Sequence, residues 1–270
     1  MRSKYYEMVG TFHKDGSRKT FRARHVPSRD LPVDSEGSVL EQNVLAIVMG
    51  KVTRREGRVT KCVRKKGLEA QPLPYSLDTL QVEANRFHGY SPKTVLDTVQ
   101  SLYKKKLVSY PRSDCNYIPT SQHSGGSKIL KMLAAYGIPG ADQGNLKIES
   151  RAFNDKKVTA HHAIIPTGVM PKDLDEKEVA LYQMIASRYT LQYLPPCEFK
   201  SMQFEVTVAG EIFQGGGKLI LKEGFRKFMK REAKDVEKDE GQAELPDIRE
   251  GDTVTGHYWI KRLRIMVNMI

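Results

Sequence analysis

The segment Leu107–Asp114, LVSYPRSD, puts a potential nucleophile, a cation and a carboxylate within a few residues, directly after three lysines, Lys104, Lys105 and Lys106. A residue that precedes proline is driven towards extended backbone, so Pro111 predicts that Tyr110 projects from a strand-like segment. Arg112, two residues on, then points the same way as Tyr110. A phenol with a pKa near 10 is a poor nucleophile at neutral pH. An adjacent guanidinium favours phenolate and can also hold a phosphate oxygen. Taken alone, the octamer reads more readily as an ordinary amphipathic tyrosine at the edge of a core.

A second constellation is Arg151–Thr167, RAFNDKKVTAHHAIIPT, which sets cations, hydrogen-bonding groups and the pair His161-His162 ahead of an apolar run. Adjacent histidines on an extended segment face opposite sides, which argues against joint metal ligation, and no cysteine or carboxylate cluster nearby completes a site. One histidine could donate to a phosphate or shuttle a proton; the alternative is that both are satisfied structural polar groups.

Several elements must position these segments. Tyr5 to Phe12, a turn at Gly16 and a β-prone piece around Phe21 predict a hairpin. Ser38 with Glu41 forms a possible capping box for a helix carrying Leu40, Val44, Ile47 and Val48, stopped at Gly50. The run Lys51–Lys66 alternates β-branched and basic residues and predicts a strand, a turn and a second strand with a positive face. Pro72 and Pro74 mark a boundary. Beyond it Ser76 caps a helix with Leu77, Leu80, Ala84 and Phe87, ended by Gly89, and Ser91-Pro92 opens another with Val95, Leu96, Val99, Leu102 and Tyr103 as its buried stripe. Two short helices followed by the β-prone LVSY suggest a helix-turn-helix or winged-helix module. Further helices are predicted around Ile129–Ala134 and from Glu176, the latter terminated by Pro195-Pro196. Alternation at Phe204, Val206 and Val208, with a turn at Gly210 before Ile212 and Phe213, predicts a second hairpin; the acidic stretch Glu232–Glu244 reads as a solvated loop.

The whole chain has 270 residues, 39% of them hydrophobic, enough for one large domain or two modest ones. Its 44 Lys and Arg against 32 Asp and Glu leave a formal charge of +12, which favours a polyanionic partner such as nucleic acid. Arg54, Arg55, Arg58, Lys61, Arg64, Lys65 and Lys66 are the candidates for an electrostatic footprint, or else a solvated basic face. Cys62, Cys115 and Cys197 lie far apart, with neither a zinc knuckle nor a disulfide framework, which fits the reducing cytoplasm. No apolar run is long enough for a membrane span, and the polar start has no signal-peptide core, so no membrane partner is expected.

Together the two segments resemble the type IA DNA topoisomerases, above all the bacterial topoisomerase III branch with its plasmid-borne relatives. The resemblance rests on PLPYSLDTLQ at 72–81, QSLYKKK at 100–106, SYPRSD at 109–114 and DKKVTAHHAIIPT at 155–167, in that order, and runs from about Asp34 to Asp252. It implies that Tyr110 attacks a DNA phosphodiester to form a 5′-phosphotyrosine, that Arg112 holds the scissile phosphate, and that His161 contacts phosphate or handles a proton. It further implies supporting or DNA-contacting roles for Lys104, Lys105, Lys106, Ser113, Asp114, Lys156, Lys157 and His162. The implied substrate is single-stranded DNA, with no small-molecule substrate, and religation needs no ATP because the phosphotyrosine conserves the bond energy. The implied fold is α+β, a helical, winged-helix-like tyrosine domain at 71–192 inserted between two β-rich strips of a hinge domain, 1–70 and 193–270.

Family members also carry a Toprim domain whose carboxylates hold Mg²⁺, and this sequence contains no matching Asp-x-Asp in its N-terminal region. The expectation is therefore a central fragment, itself without a metal site, that cleaves poorly unless a separate Toprim-containing chain joins it. The rival reading is a catalytically incompetent DNA-binding module of winged-helix type. A tyrosine recombinase fits worse, since His161 follows Tyr110 and Ile164 stands three residues after it; a relaxase needs His-hydrophobe-His, which His161-His162 does not supply.

Overall fold

The computed structural model describes residues 4–28, 33, 39–229 and 246–264. The chain divides into two compact units, one made of Met1–Gly67, Phe199–Leu219 and Ala233–Ile270, the other of Leu68–Glu198 and Ile220–Glu232.

The first unit is built on a closed antiparallel barrel. Strands β1 (Lys4–Lys14), β2 (Thr20–Val26), β3 (Glu56–Glu69), β4 (Cys197–Val208), β5 (Glu211–Lys222) and β6 (Thr253–Arg264) follow one another in the order β1-β2-β5-β4-β3-β6. Strict alternation in β2 turns Phe21, Ala23 and His25 inwards and their neighbours outwards, the period-two pattern of a barrel wall. Met8, Phe12, Phe204, Val206, Val208, Phe213 and Val254 fill the interior with Phe21. Gly10 and Gly256 make room for the Phe12 ring, because a Cβ at either would come within 2.6 or 2.8 Å of it. Ala209 and Gly210, both at positive φ, form the two-residue turn between β4 and β5.

Three expectations change in this unit. The helix α1 runs Gln42–Val52, past Gly50, and buries Leu45, Val48 and Val52; of the predicted stripe, Val48 is buried and Val44 packs against the core, while Leu40 and Ile47 are exposed. Its N-cap Glu41 makes no side-chain cap, and Ser38 lies outside the described residues, as does the acidic stretch Glu232–Glu244. The predicted strand, turn and strand over Lys51–Lys66 is the end of α1 followed by one continuous strand; Gly57 sits inside β3, where a Cβ would strike Val208 at 2.7 Å.

The second unit is helical. It contains α2 (Leu77–His88), α3 (Pro92–Lys104), α4 (Gly126–Tyr136) and α5 (Glu176–Thr190). Ser76 caps α2 through a capping box with Thr79, and Gly89 closes it in the left-handed conformation; Ser91 caps α3, with Pro92 at its first position. Leu80, Val95, Val99, Leu102, Leu133, Leu181 and Ile185 form one core with the tyrosines Tyr182, Tyr189 and Tyr193. Helix α5 stops at Thr190, and a 3-10 turn at Leu191–Tyr193 separates it from Pro195-Pro196. Tyr103, expected in the buried stripe of α3, is 45% exposed. The chain is thus α+β, with its sheet antiparallel.

Candidate active site

Helix α3 ends in a tight reversal that starts the site. Lys106 takes a left-handed conformation, φ 59°, while its N–H donates to the Tyr103 carbonyl and the N–H of Leu107 reaches the Leu102 carbonyl. This is a Schellman closure with lysine where glycine is usual, a local strain of about 1 kcal/mol. It sends residues 107–110 along the segment that holds the histidines. The Ser109 N–H donates to Ile165 O at 2.9 Å and the Thr167 N–H to Leu107 O at 3.1 Å, with Val108 bridged antiparallel to Pro166. The Ser109 hydroxyl tightens this zipper, accepting from the Ile165 N–H at 2.9 Å and donating to Ala163 O at 3.0 Å. A third segment joins on the other side: Ile164 N–H donates to Tyr75 O at 2.8 Å and Leu77 N–H to Ser113 O at 2.8 Å. So residues 75–77, 107–113 and 163–167, far apart in sequence, are laced together by main-chain bonds.

The lacing brings the two constellations into contact. The Tyr110 ring lies 4.2 Å from the His161 ring, tilted by 34°, and the exposed Tyr103 ring meets it edge-on at 6.0 Å. Tyr110 is 37% exposed. From Tyr110 to Cys115, exposed and buried residues alternate, so Tyr110, Arg112 and Asp114 share the outer side while Pro111, Ser113 and Cys115 face in. Arg112 is held from α3: with the Gln100 amide turned to present its oxygen, that oxygen accepts from Arg112 Nη2 at 2.7 Å and Nε at 3.0 Å. Among the described residues Arg112 has no carboxylate partner, which leaves its charge for an anion at the surface.

Other predicted residues fall at varying depth. Ser113 is buried; its hydroxyl accepts from the Cys115 N–H at 3.1 Å and points to His161 O at 3.5 Å, so it shapes the loop beneath Tyr110. Asp114 accepts from the Thr159 hydroxyl at 3.0 Å, a second tie between the two segments. Half-buried His162 turns Nδ1 to Ala163 O at 2.8 Å. Lys157 donates to the Tyr117 hydroxyl at 3.2 Å and lies 5.0 Å over its ring, while Lys156 is exposed beside it. The turn carrying both lysines is pinned by Asp155, whose carboxyl is held below its ordinary value by hydrogen bonds from the Thr120 hydroxyl and N–H. Lys104 and Lys106 are exposed. Lys105 instead pairs with Glu178 at 2.7 Å and donates to Asp173 O at 3.0 Å, so its ammonium is used inside the unit.

Sequence reading gave Gln100 and Ser109 no role and Tyr103 only a place in the buried stripe of α3, although Gln100 and Tyr103 stand in QSLYKKK and Ser109 next to the tyrosine. Behind the zipper lies a network it missed altogether. Arg188 of α5 donates to both oxygens of Glu83 at 2.5 Å and to the Tyr75 hydroxyl at 2.9 Å, with its guanidinium 4.4 Å over the Tyr75 ring. Among the described residues, no three His, Cys, Asp or Glu side chains gather where they could hold a metal ion. Among the same residues no helix is long and apolar enough to cross a membrane.

An exposed tyrosine under an imidazole, with a fixed guanidinium on the same side, is a layout for attack on a phosphate ester. A family model described as DNA topoisomerase matches residues 1–262. The chain belongs to the DNA topoisomerase family. Among its curated relatives, DNA topoisomerase 3 of Pasteurella multocida is 33% identical over 223 residues, covering 81% of this chain and 34% of the relative. DNA topoisomerase 3 of Vibrio cholerae is 36% identical over 216 residues, covering 76% and 33%. These place the topoisomerase chain in the topoisomerase III branch of the type IA enzymes, and it spans about a third of those relatives' length. Its fold is also similar to part of full-length topoisomerase I from Thermotoga maritima, with a TM-score of 0.64 at 18% identity over 97% of this chain and 41% of that one.

Proposed function

We propose that the helical unit carries the strand-cutting tyrosine of a topoisomerase III-like enzyme and that its substrate is single-stranded DNA. The observation that carries this reading is the convergence of Tyr110, His161 and Arg112 on one exposed face. Tyr110 Oη attacks the phosphorus of a phosphodiester, the bond from phosphorus to O3′ breaks, and the downstream piece stays on the protein through its 5′ phosphate as phosphotyrosine. The phenolic proton leaves Oη and a proton arrives at O3′, which departs as a hydroxyl. Arg112, already oriented by Gln100, binds a non-bridging oxygen and offsets the charge that grows in the pentavalent transition state. His161 packs against the Tyr110 ring and makes no hydrogen bond to its hydroxyl, a geometry that suits donation to a phosphate oxygen better than removal of the tyrosine proton. The exposed Lys104, Lys106, Lys156 and Lys157 contribute phosphate contacts around the cut, with Asp114 and His162 at its edge. One phosphodiester is exchanged for another, so religation reverses the steps without ATP, and strand passage while the cut is open relaxes or decatenates DNA.

In this reading the barrel, with strips near 1–70 and 193–270, serves as the hinge, and the α2–α3 pair with the short bridges at Val108 and Tyr75 supports a winged-helix-like tyrosine domain. Mg²⁺ and the Toprim domain that would hold it act from residues other than those described here, and the enzyme works on DNA in the bacterial cytoplasm. The test is an adduct assay with a single-stranded oligonucleotide labelled at its 3′ end, Mg²⁺ and a supplied Toprim fragment. A labelled covalent adduct that disappears in Tyr110→Phe is the expected result. Adduct that persists in the Phe variant, or that carries only a 5′ label, refutes the assignment; DNA binding with no adduct in any arm favours a non-catalytic binding module.

A further inference from the structure

The barrel unit has a site of its own that the cleavage chemistry does not use. A cavity of about 510 Å³ opens between the ends of β3, β4 and β5, lined by Arg64, Lys65, Lys66, Lys200, Ser201 and Asp247 among others. Because β5, β4 and β3 are neighbours in the barrel, cations from distant parts of the sequence arrive side by side. Arg64 is anchored there, its Nη2 donating to the carbonyls of Pro246 at 3.2 Å and Ile248 at 3.0 Å. Lys65, Lys66 and Lys200 are exposed, and among the described residues none of them is ion-paired. Among the described residues Asp247 is the one carboxylate in the lining, against the cations Arg64, Lys65, Lys66 and Lys200, so the described lining carries a positive excess.

Its chemistry selects among polyanions. Single-strand sites pair a basic track with aromatic faces on which bases stack. Among the described residues no aromatic side chain lines this cavity. The ring nearest in sequence, Phe199, is already engaged: it packs close to Gly67, where a Cβ would come within 2.5 Å of it, and the Lys218 ammonium sits 4.1 Å over it. A groove with cations and no stacking platform grips a phosphate ridge and leaves the bases alone, which is what a paired duplex presents. We propose that this groove holds the phosphate backbone of duplex DNA, separately from the single strand cut at Tyr110.

The test measures the salt dependence of binding of a fluorescent 20-base-pair duplex and of oligo-dT to the chain and to Lys65→Glu/Lys66→Glu/Lys200→Glu. Losing three phosphate contacts lowers the duplex salt slope by about 2.7, equivalent to a roughly 40-fold smaller affinity loss between 50 and 200 mM salt. Oligo-dT binding should keep its slope. The matching Lys→Gln triple, which alters shape least, should give the same loss, whereas Lys128→Glu/Lys131→Glu/Lys172→Glu, exposed lysines of the helical unit, should leave the duplex slope alone. An unchanged duplex slope overturns the proposal, as does an equal loss with oligo-dT or with the control triple. The outcome is independent of cleavage, since Tyr110→Phe retains the groove.

Discussion

Replacing Arg188 with methionine should selectively destabilise the helical unit. The guanidinium is 14% exposed and makes three hydrogen bonds of 2.5 to 2.9 Å to Glu83 and Tyr75, with a face-on contact to the Tyr75 ring. Breaking one side of a buried pair typically costs about 3–5 kcal/mol, because the partner charge stays behind. Here Glu83 remains 28% exposed and keeps the Tyr75 hydroxyl as a donor, so water recovers part of the loss. Methionine fills much of the volume and can itself lie against the ring. The lower end, about 3 kcal/mol, is therefore expected, which at a urea dependence of about 2 kcal/mol/M lowers the midpoint by about 1.5 M. The chain's single tryptophan, Trp259, lies in β6 of the barrel, whereas α2 to α5 lie in the other unit. Circular dichroism at the helix band should shift, and tryptophan fluorescence should hold its midpoint. Adding Glu83→Gln should restore part of the loss by removing the stranded carboxylate. A midpoint shift under about 0.3 M, or a double variant less stable than Arg188→Met, would refute the reasoning.

Three further outcomes follow from the same geometry. Gln100→Leu frees the Arg112 guanidinium and should slow adduct formation roughly tenfold, the worth of about 1.4 kcal/mol of orientation, with oligonucleotide affinity unchanged; equal loss of affinity and rate would mean Gln100 acts on binding alone. Glu178 is raised by burial but held net below its ordinary value of 4.5 by Lys105, Ser101 and the Asp175 N–H. A depressed carboxyl stabilises fully above its ordinary pKa and loses that contribution as the pH falls through the lower folded value, so the gap in melting temperature between the chain and Glu178→Gln should be largest near pH 7 and close at acid pH. A gap that stays constant from neutral to acid pH contradicts this. Gly126→Ala puts a Cβ 2.2 Å from the Tyr193 hydroxyl, and overpacking of this kind should cost about 1–3 kcal/mol in urea unfolding; a neutral variant would show that Tyr193 moves freely.

The regular elements of the helical unit were legible because local chemistry and packing agree there. Ser76, Gly89, Ser91 and Pro92 each do at the termini of α2 and α3 what their side chains favour, and the apolar stripe they bracket is the stripe the core takes up. Errors arise where long-range geometry overrules local preference. The run Lys51–Lys66 reads as two strands about a turn, yet Gly57 in β3 is a strand residue, where the side chains of Val206 and Val208 occupy the space a Cβ would need. Gly50 reads as a stop, yet α1 continues because Val52 is wanted in the barrel core. Tyr103 has the right spacing for burial, but the chain reverses at Lys106 and brings Tyr110 back against its ring, so it stays at the surface.

The candidate site was legible as residue types and illegible as an assembly, and the reason lies in its backbone. Tyr110 and His161 belong to no helix or named strand, so no periodicity marks their separation in space. What joins them is mostly main-chain bonds, with the Ser109 hydroxyl and the Thr159–Asp114 bond added, and main-chain groups are the same for every residue. Only Pro111 leaves a local trace, by forcing the extended run that puts Tyr110 and Arg112 on one side. The groove on the barrel is hidden for the related reason that its cations come from β3 and β4, far apart in sequence, and meet only because those strands are neighbours in the barrel. Both sites thus depend on pairings that short motifs do not encode, and this is why perturbing the pairing, at Ser109 or Tyr75, should damage the chemistry as surely as removing a reacting group.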